Sequence, residues 1–345
     1  MSAILAALKG LIEGRELARA AVEEAVVSLL DGEASEIEAA AFLTALAVRG
    51  ETLDELEGVI RAVRSRMISF HLPDDRPAID TCGTGGDHSR TLNLSTGSAI
   101  IARACGARVV KHGNRAASSR SGSTDVLEAL GIATDLDPDS ARRCLDQIGI
   151  AYLHAPTFHP GLKRLAPIRR QLPFRTLFNL VGPLANPASP AFQVVGCPDL
   201  ARAFLVVGVL AKLDHIKRAV VVTGADGLDE VSLSGPTHAW LVEEGTIRPM
   251  TLDPSQFRLP ITSHTEIQVE STQESAQRLR RVFAGERGPA RDYLVANTAV
   301  ALWTLGANTL MIAARTAEEA LDSGAAARVA DRWAELCPAR PTHLA

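Results

Sequence analysis

The sequence predicts an α/β fold: a small all-helical domain plus a larger α/β domain with a mostly parallel central sheet. Apolar stripes of helical period fill the stretch before residue 72, with no strand-like run among them. Beyond it, short apolar runs alternate with helical stretches, and several runs end in loops rich in glycine and charge.

The first stripe is Leu17, Val22, Ala25, Val26 and Leu29; the second is Ile37, Ala40, Phe42, Leu43 and Leu46. Leu53, Leu56, Ile60 and Val63 make a third. Ser35 with Glu38, and Thr52 with Glu55, have the spacing of capping boxes at the starts of the second and third helices. Strands are expected at 78–81, 108–110, 151–153, 193–196 and 219–223, with helices at 95–105, 121–130, 138–148 and 199–213 between them. Residues 161–178 read as an amphipathic helix that returns to the N-terminal helices. A hairpin over 239–242 and 246–248 and helices at 274–283, 292–305 and 317–322 complete the expectation. The domain division is therefore 1–72, joined by about 162–186, against 73–161 with 187–345.

In 345 residues, a hydrophobic share of 46% with only 4% aromatics calls for a core of Ala, Val, Leu and Ile. The net charge of −4 argues against a nucleic-acid partner, which requires basic surface. The cysteines at 82, 105, 144, 197 and 337 form no CxxC pair, and their odd number suggests idle thiols rather than a disulfide framework. The N-terminal apolar run is too short for a secretory signal, and no stretch reaches the ~20 apolar residues of a membrane span. A cytoplasmic protein with no membrane partner is expected.

Four segments carry chemistry. Asp80-Thr81-Cys82-Gly83-Thr84-Gly85-Gly86-Asp87 leaves a strand end, and Asn93-Leu94-Ser95-Thr96 opens a helix soon after. Glycines let a backbone approach an anion closely, and hydroxyls at a helix start add donors. An ordinary turn and N-cap would look alike, but the loop matches neither the Walker nor the Rossmann pattern. Lys111-His112-Gly113-Asn114-Arg115, with Ser118, Ser119, Arg120, Ser121 and Ser123 beyond it, follows the next strand. Two anion-suited loops at strand ends make chance a weak explanation. The third segment, Asp226-Gly227-Leu228-Asp229-Glu230, brings adjacent carboxylates to a strand exit, where a cation between them would relieve repulsion. The fourth runs from Pro167 to Pro187; Arg169 suits bidentate binding of a carboxylate, whereas Arg175 is expected to pair with acidic side chains between domains.

In combination and order, GTGGD, NLST, KHGNR, SGSTDVLEALG, PIRRQL, RTLFNLVGPLANP and the Asp-Glu pair resemble anthranilate phosphoribosyltransferase, over nearly the whole chain. The resemblance implies a nucleoside phosphorylase/phosphoribosyltransferase-like fold and a homodimer. It further implies Mg²⁺ as cofactor and transfer from phosphoribosyl pyrophosphate to anthranilate in tryptophan biosynthesis. By motif position, it assigns Gly83, Gly85, Gly86, Asp87, Thr91, Asn93, Ser95, Thr96, Lys111 and Ser123 to the donor. Ser95, Asp229 and Glu230 fall to the metal; Gly83, Asn114, Arg169, His112, His159 and Gly182 fall to anthranilate. Lys111 and Arg169 take supporting catalytic roles, and no general base is assigned. The chain departs from the pattern at His88, where the family commonly has Gly, at Leu92 for a usual Phe, and at Pro173 for a frequent Gly.

A nucleoside phosphorylase of similar fold would also carry a Lys-His loop, but it uses free phosphate and has no need of the Asp229–Glu230 pair. A non-catalytic nucleic-acid-binding relative would have a basic groove and an eroded GTGGD loop. The intact motif and acidic net charge oppose it.

Overall fold

The computed structural model describes residues 2–72, 74–115 and 122–339. Helices α1 (Ala3–Ile12), α2 (Arg19–Asp31), α3 (Glu36–Arg49) and α4 (Leu53–Ser65) form the N-terminal unit. Both expected capping boxes are present: Ser35 Oγ accepts the Glu38 N–H at 3.2 Å, and Glu38 accepts the Ser35 N–H at 2.7 Å. Thr52 and Glu55 do the same for α4. The expected helices start near residue 15; α1 precedes them, burying Ile4, Ala7, Leu8 and Leu11.

The α/β part begins with β1 (Ala78–Asp80), α5 (Leu94–Ala104), β2 (Arg108–Gly113), α6 (Ser123–Ala129), α7 (Pro138–Ile148) and β3 (Ile150–His154). The short α8 (Ala155–Phe158), α9 (Leu162–Gln171), a 3₁₀ turn at Leu177–Asn179 and α10 (Val181–Leu184) then lead to β4 (Phe192–Gly196). After α11 (Leu200–Leu210) come β5 (Arg218–Gly224), β6 (Thr237–Glu243) and β7 (Thr246–Leu252). The chain closes with α12 (Thr272–Phe283), α13 (Pro289–Thr304), α14 (Leu310–Asp322) and α15 (Ala325–Leu336). One seven-stranded sheet has the order β3-β2-β1-β4-β5-β6-β7. Its first five strands are parallel, and β6 alone runs the other way, pairing antiparallel with both β5 and β7.

β5 explains the unbroken apolar runs. Val220 and Val222 enter the core beneath α5 and the C-terminal helices, while Ala219 and Val221 enter the core built with the N-terminal helices. A strand covered on both faces has no polar side to show. The outer strand β7 exposes most of its residues and carries Pro249, which suits a sheet edge.

The structure corrects three sequence expectations. The helix expected over 161–178 stops at Gln171, because Pro173 pushes the residue before it, Leu172, into an extended conformation; Leu165 and Ile168 still join the core of Val22, Leu29 and Phe42. The helix α15 was not foreseen, although Ala326, Ala330 and Trp333 are buried from it. Finally, the sulfurs of Cys144 and Cys337 pair as a disulfide across 193 residues, with Cα atoms 7.5 Å apart, a wider span than most disulfides have. Tertiary pairing creates this contact: the segment after α15 bridges Pro338 to Ile132, and the Ala133 N–H donates to Cys337 O at 2.7 Å. Ser118, Ser119, Arg120 and Ser121 lie outside the described residues.

Candidate active site

The chain leaves β1 for β2 on one side and later places β4 on the other, so strand order reverses at β1. Loops at such a reversal diverge and leave a crevice at the carboxyl ends of the strands. A cleft of about 310 Å³ opens there, and the chemistry-bearing loops meet in it.

The loop after β1 turns through Gly85 and Gly86, whose φ values of +67° and +83° are accessible to glycine at little cost. His88, where the resemblance leads one to expect glycine, takes a left-handed φ of 56°, a conformation that costs a side chain more than it costs glycine. Leu92 is buried in the core under the sheet. Asn93 caps α5, its Oδ1 accepting the Thr96 N–H at 3.0 Å. Lys111 is 2% exposed; its ammonium donates to Thr81 O at 3.1 Å and to Ser95 Oγ at 3.2 Å. A buried cation is thereby fixed between two loops.

Beside it stand the acids. Burial pushes both Asp229 and Glu230 well above the usual carboxylate range; Asp87 beside Asp229, and Asp229 beside Glu230, push further, while Arg175 and Lys111 pull back. Among the described residues, no three such side chains converge in a ready ligating geometry. Mg²⁺ commonly takes only one or two carboxylates and completes its shell with phosphate oxygens and water, so this acid pair beside a phosphate-sized cleft fits it.

On the far wall, Arg169 has no carboxylate partner among the described residues, and its guanidinium lies 5.9 Å from the Phe178 ring centre. The His112 and His159 rings pack at a tilt of 55° with centres 5.1 Å apart, and His112 Nδ1 is 2.7 Å from Gly182 O. The carbonyl assigns a proton to Nδ1, and burial keeps the His112 ring neutral despite this bond. Burial pushes His112 down to about 4 and His159 down to about 3, so both are poor bases and suit a neutral wall. Ser123 Oγ contacts Tyr152 OH at 3.1 Å.

Of the residues expected from sequence, the cleft gathers Gly83, Gly85, Gly86, Asp87, Thr91, Asn93, Ser95, Lys111, His112, Asn114, Ser123, His159, Arg169, Gly182, Asp229 and Glu230. Thr96 is the exception. It is fully buried, its Oγ1 has no partner among the described residues, and only its N–H serves the cap. Arg175 differs too: instead of pairing with a carboxylate, it donates to the carbonyls of Thr84, Gly85 and Gly86. Two supports escaped the sequence reading. Asp80 accepts the Asn186 amide at 2.8 Å and the His112 N–H at 3.3 Å, which braces both loops from behind. Gly196, at the end of β4, lets the Asp229 backbone pass so closely that any Cβ there would collide with the Asp229 carbonyl.

Comparison with known proteins agrees with this geometry. Residues 5–67 match the helical bundle domain of the glycosyl transferase family, and 75–327 match its a/b domain. The anthranilate phosphoribosyltransferase of Moorella thermoacetica is 44% identical over 324 residues, 93% of this chain and 95% of that one. That of Methylobacterium radiotolerans is 44% identical over 91% of this chain and 90% of its own. The chain belongs to the anthranilate phosphoribosyltransferase family. Among solved members, the Thermus thermophilus enzyme superposes with a TM-score of 0.88 at 35% identity, covering 96% of this chain and 98% of that one. The Saccharomyces cerevisiae enzyme, solved in complex with PRPP and Mg, reaches 0.88 at 28% identity, covering 96% and 97%.

Proposed function

We propose that this chain transfers the phosphoribosyl group of phosphoribosyl pyrophosphate to the amine of anthranilate, releasing pyrophosphate. One observation carries the reading most directly: a buried acid pair and a buried lysine line the same cleft as the glycine loop and an arginine that has no carboxylate partner among the described residues. The acid pair and lysine suit a metal-bound pyrophosphate, the arginine an aromatic acid.

The nitrogen of anthranilate is a weak nucleophile, so pyrophosphate departure leads and positive charge builds on the ribose ring. Mg²⁺, held by Asp229 and Glu230 with Ser95 close by, would neutralise charge on the departing phosphates. Lys111, fixed by Thr81 O and Ser95 Oγ, adds a point charge on the same side at no reorganisation cost. The N–H groups and hydroxyls of the glycine loop and of α5 hold the donor, with Thr91, Asn93 and Ser123 at its margins. Arg169 takes the anthranilate carboxylate, and Asn114, Gly83, Gly182, His112 and His159 shape its route. The amine becomes acidic only as its bond to carbon forms, so solvent or released pyrophosphate can take the proton, and no side chain is assigned as base.

The same reading makes the protein a homodimer of the tryptophan pathway in the cytoplasm, divided at about residue 72 with 162–186 returning to the helical unit. Among the described residues, no helix is long and apolar enough to cross a membrane. Ile12, Ile37 and Val48 are 80%, 82% and 82% exposed on α1 and α3, which favours the helical unit as the dimer contact; sedimentation should return twice the chain mass. The activity is tested by the loss of anthranilate fluorescence on mixing with phosphoribosyl pyrophosphate and Mg²⁺. Loss that EDTA abolishes is the expected result. A folded protein that binds the donor but leaves the fluorescence unchanged would retire anthranilate as acceptor.

A further inference from the structure

We propose that Arg175 is a positioning residue that sets the shape of the donor loop, and that it acts from the segment carrying the acceptor arginine. The inference rests on the reading of the cleft given above. Arg175 Nη1 donates to Gly86 O at 3.2 Å, while Nη2 donates to Gly85 O at 2.7 Å and to Thr84 O at 3.3 Å. One guanidinium thus gathers the oxygens of consecutive peptide planes.

In a trans peptide the N–H points opposite to the C=O. Drawing the Thr84, Gly85 and Gly86 oxygens to Arg175 therefore turns the N–H groups of Gly85, Gly86 and Asp87 the other way. The Gly85 N–H lies against the Asp229 carboxylate. Those of Gly86 and Asp87 take no hydrogen bond among the described residues. Successive N–H groups presented together form a concave site for an anion such as the donor's pyrophosphate. Left alone, a loop of consecutive glycines would sample many backbone shapes, and ordering it would cost donor affinity.

The fit is close from the other side as well. A Cβ on Gly86 would displace the Arg175 guanidinium from its carbonyls, and the left-handed φ of +83° separately favours glycine there. Arg175 is itself held. Pro173 precedes it, and the next residue, Thr176, donates its N–H to Asn179 Oδ1 at 2.9 Å. Asn179 and Arg169 line the same cleft. Arg175 therefore ties the donor loop to the stretch that begins with Arg169 and ends in the 3₁₀ turn. A lysine could not replace the fork, because a single ammonium does not present planar, divergent donors to three carbonyls.

The test compares wild type, Arg175→Lys and Arg175→Ala in steady-state kinetics, in calorimetric binding of phosphoribosyl pyrophosphate with Mg²⁺, and in thermal unfolding. Arg175→Ala should raise KM and Kd for the donor at least about tenfold, the worth of one charged hydrogen bond, with the KM for anthranilate within about twofold. Arg175→Lys should show most of that donor loss while unfolding near the wild-type midpoint, which covers the case of an alanine variant that does not fold. Guanidinium ion at millimolar concentration should restore part of the lost donor affinity, and methylammonium should not. Wild-type donor binding in Arg175→Lys would overturn the proposal, as would an equal loss for both substrates. Absence of transfer by the wild-type enzyme would instead overturn the functional reading, and donor binding measured without acceptor separates the two failures.

Discussion

Arg169 and Gly196 show how differently single residues can matter at this site. Arg169 faces the cleft without a carboxylate partner, so its loss should be felt by the acceptor and little by the fold. Arg169→Ala is expected to raise the KM for anthranilate by about tenfold or more, with the donor KM nearly unchanged. An unchanged anthranilate KM would remove it from the acceptor site. Gly196 touches neither substrate, yet a methyl group there must push the Asp229 backbone away. A shift approaching 1 Å in a catalytic group costs on the order of a hundredfold in rate, so Gly196→Ala should lose about that much kcat and need more Mg²⁺ for half-maximal rate. The double variant Asp229→Asn with Glu230→Gln should cut turnover far more than anthranilate binding; near-wild-type turnover at limiting Mg²⁺ would sink the metal assignment. Only part of this was legible beforehand. Arg169, Lys111 and the acid pair stand out because their chemistry is unusual for the ends of apolar runs. Gly196 and Asn186 do not, because a close approach and a buried hydrogen bond leave no mark in local sequence.

The start of α4 separates a local role from a tertiary one. Thr52 and Glu55 form the expected capping box, and replacing Thr52 with Ala should cost about 1 kcal/mol. Glu55 does more: fully buried, it accepts the Leu17 N–H at 2.9 Å and pairs with Arg49. Glu55→Ala leaves a buried donor and a partly buried cation without their acceptor, so a loss of about 3 kcal/mol is expected. Urea denaturation measures both, and equal losses would show that Glu55 serves as a cap alone. The helix positions and both caps could be read directly, since apolar period and cap chemistry are properties of neighbouring residues. The end of α9 was misjudged because the apolar pattern continues past Pro173 into the 3₁₀ turn: Leu177 and Phe178 are buried in the same core although they are no longer on the helix.

For the molecule as a whole, buried neutral histidines and buried carboxyl groups pull the response to acid in opposite directions. His112 and His159 are held down to about 4 and about 3, from an ordinary 6.5 in the unfolded chain. Folded values below unfolded ones mean that this stability is fully present above about pH 6.5 and is lost as pH falls toward 4 and then 3. Asp80, pushed up to about 6 by burial, works the other way: its cost to the fold disappears as pH falls from about 6 to 4. Asp229 and Glu230, also pushed up by burial, act in the same direction as Asp80, while His215, pushed down to about 4, acts with the histidine pair, so the contribution of the pair is read by comparison. Between pH 6.5 and 4 the urea midpoint of His159→Gln, relative to its value at pH 7, should fall less than that of wild type, or rise more, by the share that His159 contributes. A pH profile of His159→Gln parallel to that of wild type would contradict the burial of a neutral His159. The sequence by itself determined most element types and their order, though not α1 or α15, and the residues suited to phosphate, metal and carboxylate, since each follows from the chemistry of a short segment. Only the tertiary structure decided that β4 lies beside β1, and with it the crevice, the passage of Asp229 past Gly196, the grip of Arg175 on the glycine loop and the meeting of Cys144 with Cys337. Those contacts join residues tens to hundreds of positions apart, and their partners are chosen by strand order and packing rather than by any local pattern.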